Sequence, residues 1–229
     1  MTLKTVFLDA GGVLIFPNWE RISATLAVHG VTVAPAALAA AEPYAKRQLD
    51  QRRTINATND EKRGWLYFNL ILEQAGITPD DRTRAALAEL HVYHQQSNLW
   101  EYMPDFVLPA LRQLRALHLQ LVVVSNANGT VEALARRLGI TECVECVLDS
   151  FVEKVEKPDP RFFEIALARS GAERQSTIHV GDLYEVDVVG ARAAGIEPVL
   201  LDVAGLYPDA DCRRVRSLAE LVTLAESLR

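Results

Sequence analysis

An α/β fold is the class this sequence predicts: a Rossmann-like three-layer core, parallel sheet between helices, with an all-helical domain inserted into it. Three observations carry that expectation. Short continuous apolar runs (Val6-Phe7-Leu8, Leu119–Val124, Cys146–Leu148, Thr177–Val180, Pro198–Leu201) have the pattern of strands buried on both faces. Beyond Pro104 these runs alternate with amphipathic helical stretches, which implies right-handed βαβ units. Residues 17–98 show helical periodicity and no strand pattern, so they interrupt the core after its first strand. The core is expected over residues 1–16 and 99–229, the helical cap over 17–98.

Each element has its own signal. After Leu14, Asn18 can cap a helix whose Ile22, Leu26 and His29 recur at helical spacing until Gly30. Pro35 opens an alanine-rich helix running through Tyr44 toward Leu49. Residues 50–59 are polar and read as a loop. Asp60 can cap the next helix, with Trp65, Phe68 and Leu72 on one stripe and Gly76 as its stop. Thr78-Pro79-Asp80-Asp81 starts another, carrying Leu87, Leu90 and His94. In the core, Val107, Leu108, Leu111 and Leu114 mark a helix before the second strand, which ends in Ser125-Asn126. Thr130 to Gly139 bounds the next helix, and the third strand leads into a loop holding Lys154, Lys157, Pro158 and Pro160. Phe162, Phe163, Ala166 and Leu167 give a helix stopped by Gly171. The fourth strand then ends in Gly181-Asp182. Helix Val188–Ala194 and strand Pro198–Leu201 close the series.

Composition narrows the function classes. At 229 residues the chain is long enough for one large core with an insert. A net charge of -6 offers no basic excess to neutralise phosphates, so nucleic acid and acidic membranes are not expected partners. No apolar run reaches membrane-spanning length, and the first strand begins too early for a signal segment, so a cytoplasmic protein is expected. Three cysteines fit a reducing compartment. Cys143 and Cys146 form one CxxC leading into a strand, and no second pair completes a zinc site, so they read as small core residues.

The polar residues gather in one kind of position. Asp9, Ser125-Asn126, Lys157 and Asp182 with Asp187 all stand at or just past the carboxyl ends of parallel strands, where open α/β sheets bind ligands. Gly11 and Gly12 after Asp9 allow the backbone to approach whatever binds there. Singly, each residue is an ordinary turn, cap or solvated side chain. Jointly they supply carboxylates for a divalent cation, a hydroxyl and amide for oxyanions, and one cation. That inventory suits phosphoryl chemistry.

With Asp9-Ala10-Gly11-Gly12-Val13-Leu14, Val124-Ser125-Asn126, Lys157-Pro158-Asp159-Pro160 and Val180-Gly181-Asp182 with Asp187, the chain resembles the haloacid-dehalogenase (HAD) superfamily hydrolases with a helical cap inserted after the first strand. The resemblance covers essentially the whole chain in the family's order. It implies that Asp9 is a nucleophile forming an aspartyl phosphate or ester. It implies Mg²⁺ held by Asp9, the Gly11 carbonyl and Asp182, with Asp187 supporting that shell. Gly12, Ser125 and Asn126 would hold transferring oxygens, and Lys157 would pair with both Asp9 and the phosphate. The implied substrate is a small phosphorylated or otherwise anionic metabolite, and the implied assembly a monomer or homodimer.

One position departs from the family's commonest pattern. A second aspartate two residues after the nucleophile serves there as general acid and base; this chain has Gly11. Losing a positioned acid costs about 10² to 10⁴ in rate. Three readings follow. The first is a Mg²⁺-dependent phosphatase whose leaving group needs little protonation, or whose acid comes from water or from the cap, with His29, Lys46, Glu61 and Lys62 as cap candidates. The second is a haloacid dehalogenase, whose metal-free chemistry the retained Asp182 and Asp187 count against, or a phosphonate hydrolase, which would need an imine-forming cap lysine such as Lys46 or Lys62. The third is a non-catalytic module that binds a phosphorylated ligand. The first is the expectation taken forward. In the cap, Arg52, Arg53 and Asn56 can contact an anionic substrate, while Trp19, Trp65 and Tyr67 read as cap core.

Overall fold

Strand β1 (Thr5–Leu8) is buried at every position, as its unbroken apolar run requires of a strand covered on both faces. The computed structural model describes residues 2–229, apart from the side chains of Asp60 and Glu61. The roles considered for those two side chains therefore lie outside the described residues. The chain divides into two compact units, residues up to Phe16 together with Met103–Arg229, and Pro17–Tyr102.

The second unit is helical. Strand β2 (Phe16–Pro17) leads into α1 (Trp19–Val28), α2 (Pro35–Leu49), α3 (Arg52–Ala57), α4 (Asp60–Gln74) and α5 (Asp81–Ser97), and β3 (Trp100–Tyr102) pairs with β2. Asn18 caps α1 by accepting the Arg21 N–H at 3.0 Å. Asp80 and Thr83 form a reciprocal capping box on α5. Two expectations are corrected. The polar stretch 50–59 contains α3, anchored by buried Ile55, with Arg52, Arg53 and Asn56 exposed. Helix α4 is capped by Asn59, whose Oδ1 accepts the Lys62 N–H at 3.1 Å. The unit's core joins Ile22, Leu26, Leu38, Phe68, Ile71 and Leu90, with Tyr67 buried among them and Trp19 and Trp65 packed against it. Its boundary falls after Tyr102 rather than at residue 98, because Glu101 on β3 hydrogen-bonds Asn18, Arg21 and Tyr93 of the same unit.

The first unit resumes with α6 (Val107–Ala116), β4 (Gln120–Ser125), α7 (Val131–Arg137), β5 (Cys146–Asp149) and α8 (Ser150–Glu153). It continues with α9 (Pro160–Ser170), β6 (Thr177–Gly181), α10 (Val189–Ala193), β7 (Glu197–Leu201), β8 (Arg213–Val215) and α11 (Leu218–Ser227). The sheet order is β5-β4-β1-β6-β7-β8, and every neighbouring pair is parallel. This is the doubly wound order in which the chain runs outward from β1 in one direction, then returns to β1's other side and runs outward again. Strand β8 and α11 extend the series beyond the expected last strand. Phe7, Val122 and Leu148 of the sheet pack on Phe162, Phe163 and Ala166 of α9 and on Ala191 of α10. Cys143 is buried, Cys146 is half-buried on β5, and both are free thiols. Among the described residues no helix is long and apolar enough to cross a membrane.

Candidate active site

The reversal of chain direction lies between β1 and β6, and the register of that pair sets the site. Leu8 is level with Val180 on β6 and with Val123 on β4. Asp9 continues the ladder by donating its N–H to the Val180 carbonyl at 2.9 Å. Ser125 and Asp182 then stand two residues past those levels, on the strands flanking Asp9. Beyond Asp9 the chain folds back tightly: the Leu14 and Ile15 N–H groups both donate to the Ala10 carbonyl at 2.9 Å. Gly12 turns this loop at φ +76°, a conformation that side chains resist.

Lys157 reaches the same point from the loop after α8. Its backbone is fastened by Asn126, whose Oδ1 accepts the Lys157 N–H at 2.8 Å and whose Nδ2 donates to the Lys157 carbonyl at 3.0 Å. The Asn126 side chain, expected to meet substrate, is thus committed to placing Lys157. The Lys157 ammonium is fully enclosed and bridges Asp9 Oδ1 at 3.0 Å and Asp187 Oδ1 at 2.7 Å. The same Asp187 oxygen accepts from His179 Nε2 at 2.9 Å, and Asp187 Oδ2 accepts the Leu183 N–H at 3.1 Å. Asp187 comes back to the sheet because residues Tyr184–Val188 make one wide helical turn before α10, a bulge found often at functional sites. Its carboxyl group occupies the space a Cβ would take at residue 181, which is why that position is glycine.

The electrostatics follow from burial and a surplus of acid. Asp9, Asp182 and Asp187 each offer an oxygen within 4.8 Å of the others. Burial, reinforced by Asp187 and Asp182 and only partly offset by Lys157, pushes the Asp9 carboxyl up to about 7. Burial alone would lower Lys157, but Asp187 and Asp9 override it and push the ammonium up to about 12. Burial would raise Asp187 as well. Lys157 and His179 outweigh that and hold its carboxyl well below the usual carboxylate range. Burial is the chief cause that lowers His179, against the opposing pull of Asp187. Fully ionised, three carboxylates face one ammonium among the described residues of this centre, a deficit of positive charge. Hard oxygen donors with that deficit fit a divalent cation of the Mg²⁺ kind.

Asp9, Lys157, Asp182 and Asp187 are brought together, and Ser125 stands buried at the adjacent strand end. His179 was not singled out from the sequence. Its signal was a titratable side chain between Ile178 and Val180 in an otherwise apolar strand. Other candidates sit in polar pairs of the helical unit: Lys46 bridges to Glu42 at 2.8 Å, and His29 to Glu89 at 2.9 Å.

Fold and site together define an α/β enzyme with an acidic, lysine-bridged centre at the switch point of its sheet. A family model described as haloacid dehalogenase-like hydrolase matches residues 3–195, and the chain belongs to that family of hydrolases. It is 30% identical over 165 residues to the ribulose-1,5-bisphosphate 5-phosphatase of Halopiger xanaduensis, covering 71% of this chain and 67% of that protein. It is 30% identical over 194 residues to human haloacid dehalogenase-like hydrolase domain-containing protein 3, covering 81% and 75%. The crystal structure of YfnB from Bacillus subtilis bound to magnesium matches the fold with a TM-score of 0.70, at 15% identity, over 98% of this chain and 99% of that one.

Proposed function

We propose that the protein is a Mg²⁺-dependent phosphatase acting on a small phosphorylated metabolite, with Asp9 as nucleophile. The observation that carries this reading is the Lys157 ammonium, fully enclosed between Asp9 and Asp187. A buried ion pair adds little stability over an apolar packing, so a centre that keeps one beside two further carboxylates points to chemistry. The Halopiger relative, a phosphatase by name, supports the reaction class.

An Asp9 carboxylate oxygen attacks phosphorus, the bond to the leaving oxygen breaks, and the phosphoryl group is carried as an aspartyl phosphate until water releases it. Asp9, Asp182 and the Gly11 carbonyl would hold a Mg²⁺, which would supply the charge neutralisation that lets a carboxylate approach a phosphate dianion. Lys157 favours the ionised form of Asp9 against the opposing pull of burial and stabilises charge on the transferring oxygens. Ser125 and the main chain at Gly12 and Asn126 hold those oxygens. Asp187 backs the centre by holding Lys157.

Release of p-nitrophenol from p-nitrophenyl phosphate with and without Mg²⁺ tests this directly. Turnover should need the metal and fall at least about 10⁴-fold in Asp9→Asn. Turnover indifferent to either change sinks the proposal, and chloride release from a 2-haloacid without metal replaces it with the dehalogenase reading. Gly11 lacks the left-handed φ of Gly12, so its φ does not single out glycine as Gly12's does. Gly11→Asp should raise turnover of alkyl phosphates, whose leaving group needs a proton, by about 10² or more while changing aryl phosphates little. Equal gains for both would contradict the assignment of Gly11 as the missing acid.

A further inference from the structure

His179 has no role in the reaction just described, yet it is fully buried in the middle of β6. Its ring meets the Phe163 ring edge-on, with centroids 4.8 Å apart. An ionised carboxylate can only accept, so the 2.9 Å contact with Asp187 Oδ1 requires His179 to carry its proton on Nε2. Nδ1 is buried as well and makes no well-formed hydrogen bond, with the Phe7 main chain of β1 beside the ring. A residue serving only to fill the core would be apolar and would avoid this cost. The ring is therefore retained for what it does at Nε2.

What it does there follows from the oxygen it shares. Asp187 Oδ1 receives Lys157 Nζ at 2.7 Å, and Lys157 reaches Asp9 at the longer 3.0 Å. An ammonium between two carboxylates moves toward whichever is less satisfied. A second donor on Asp187 Oδ1 lowers the pull of that side and fixes the carboxylate's rotation. We infer that His179 is a positioning residue: its Nε2–H donates to the shared Asp187 oxygen and keeps Lys157 extended to Asp9 instead of drawn back onto Asp187. The inference rests on the proposed function for its consequence in turnover, but its structural half stands on the metal-free protein alone.

The test has two arms. In metal-free protein labelled with ¹⁵N-histidine, long-range ¹⁵N–¹H spectra report the tautomer of each of the five imidazoles, and a His179 variant identifies the relevant signal. A ring carrying a proton on Nε2 is expected; an Nδ1–H ring with a bare Nε2 overturns the inference. In the second arm, His179→Leu keeps bulk without a donor, and His179→Gln keeps an amide donor at similar reach. With p-nitrophenyl phosphate, kcat should fall about tenfold to a hundredfold in the leucine variant, with KM little changed, and recover largely in the glutamine variant. Equal losses in both, tracking a common drop in thermal midpoint, would mean a structural role only and overturn it. Absence of any hydrolysis by the unaltered protein overturns the phosphatase reading instead, and the tautomer still decides the arrangement at Asp187.

Discussion

Each of the two units holds one prominent ionic cluster, and the two are balanced in opposite ways. In the helical unit, Glu101 accepts from Asn18 at 2.9 Å, Arg21 at 2.9 Å and Tyr93 at 2.8 Å, and the Arg21 guanidinium lies 3.9 Å from the centroid of the Tyr93 ring. Among the described residues one anion meets one cation, and other carboxylate lone pairs meet neutral donors. At the edge of the sheet, one ammonium faces three carboxylates in a buried setting. The first cluster is finished by its own chain and holds β3 against its helices. The second keeps a surplus of negative charge among the described residues, which the proposed Mg²⁺ would offset. Residual charge, more than burial or bond count, separates a site from scaffolding.

The contrast predicts unequal responses to losing a charge. Lys157→Met leaves Asp9 and Asp187 buried without their cation, and should cost about 3–5 kcal/mol of unfolding free energy in metal-free buffer. Urea unfolding followed by circular dichroism measures it. A loss under about 1 kcal/mol would mean the lysine contributes nothing to the fold and the contrast is false. Gly181→Ala is the next largest change. The added methyl group overlaps the Asp187 carboxyl group, so backbone or carboxylate must move, at about 1–3 kcal/mol. Because the displaced group holds Lys157, turnover of p-nitrophenyl phosphate should fall by more than the stability loss explains. Unchanged turnover would show that the Asp187 position tolerates drift.

Much of this was legible in the sequence because burial on both faces writes strands as unbroken apolar runs, and parallel strands put their ends on one edge. Asp9, Ser125, Lys157 and Asp182 could thus be placed on that edge before any coordinates. The rest was hidden for particular reasons. Strand β8 has only Val215 buried among its residues, so an edge strand of two arginines and one valine carries no apolar run. Helix α3 is a short helix anchored by Ile55 alone, too little for a periodic signal. The role of Asn126 as the clasp of Lys157 joins residues 31 positions apart, and His179 gains meaning only from Asp187 folding back through a wide turn. Pairings of that kind are tertiary facts with no local spelling.

The smallest expected effect belongs to the balanced cluster, and it separates the units most cleanly. Burial alone would raise Glu101, but hydrogen bonds from Arg21, Tyr93 and Asn18 outweigh it and hold the carboxyl below the ordinary range. A depressed folded-state value contributes stability that is present above the unfolded value and lost as pH falls through the folded one. Glu101→Gln keeps the geometry and removes the charge, so it should cost about 1 kcal/mol at neutral pH, since charge-assisted hydrogen bonds are roughly twice as strong as neutral ones. Below about pH 4 the unaltered protein loses the same contribution, and the difference between the two should close. All three tryptophans, Trp19, Trp65 and Trp100, lie in the helical unit, so their fluorescence follows its unfolding. The variant should shift that transition while leaving Mg²⁺ binding and turnover of an aryl phosphate intact, the reverse of what Lys157→Met does. A gap that stays constant from pH 7 to pH 3 would mean the Glu101 charge contributes nothing, leaving the cluster held by neutral contacts.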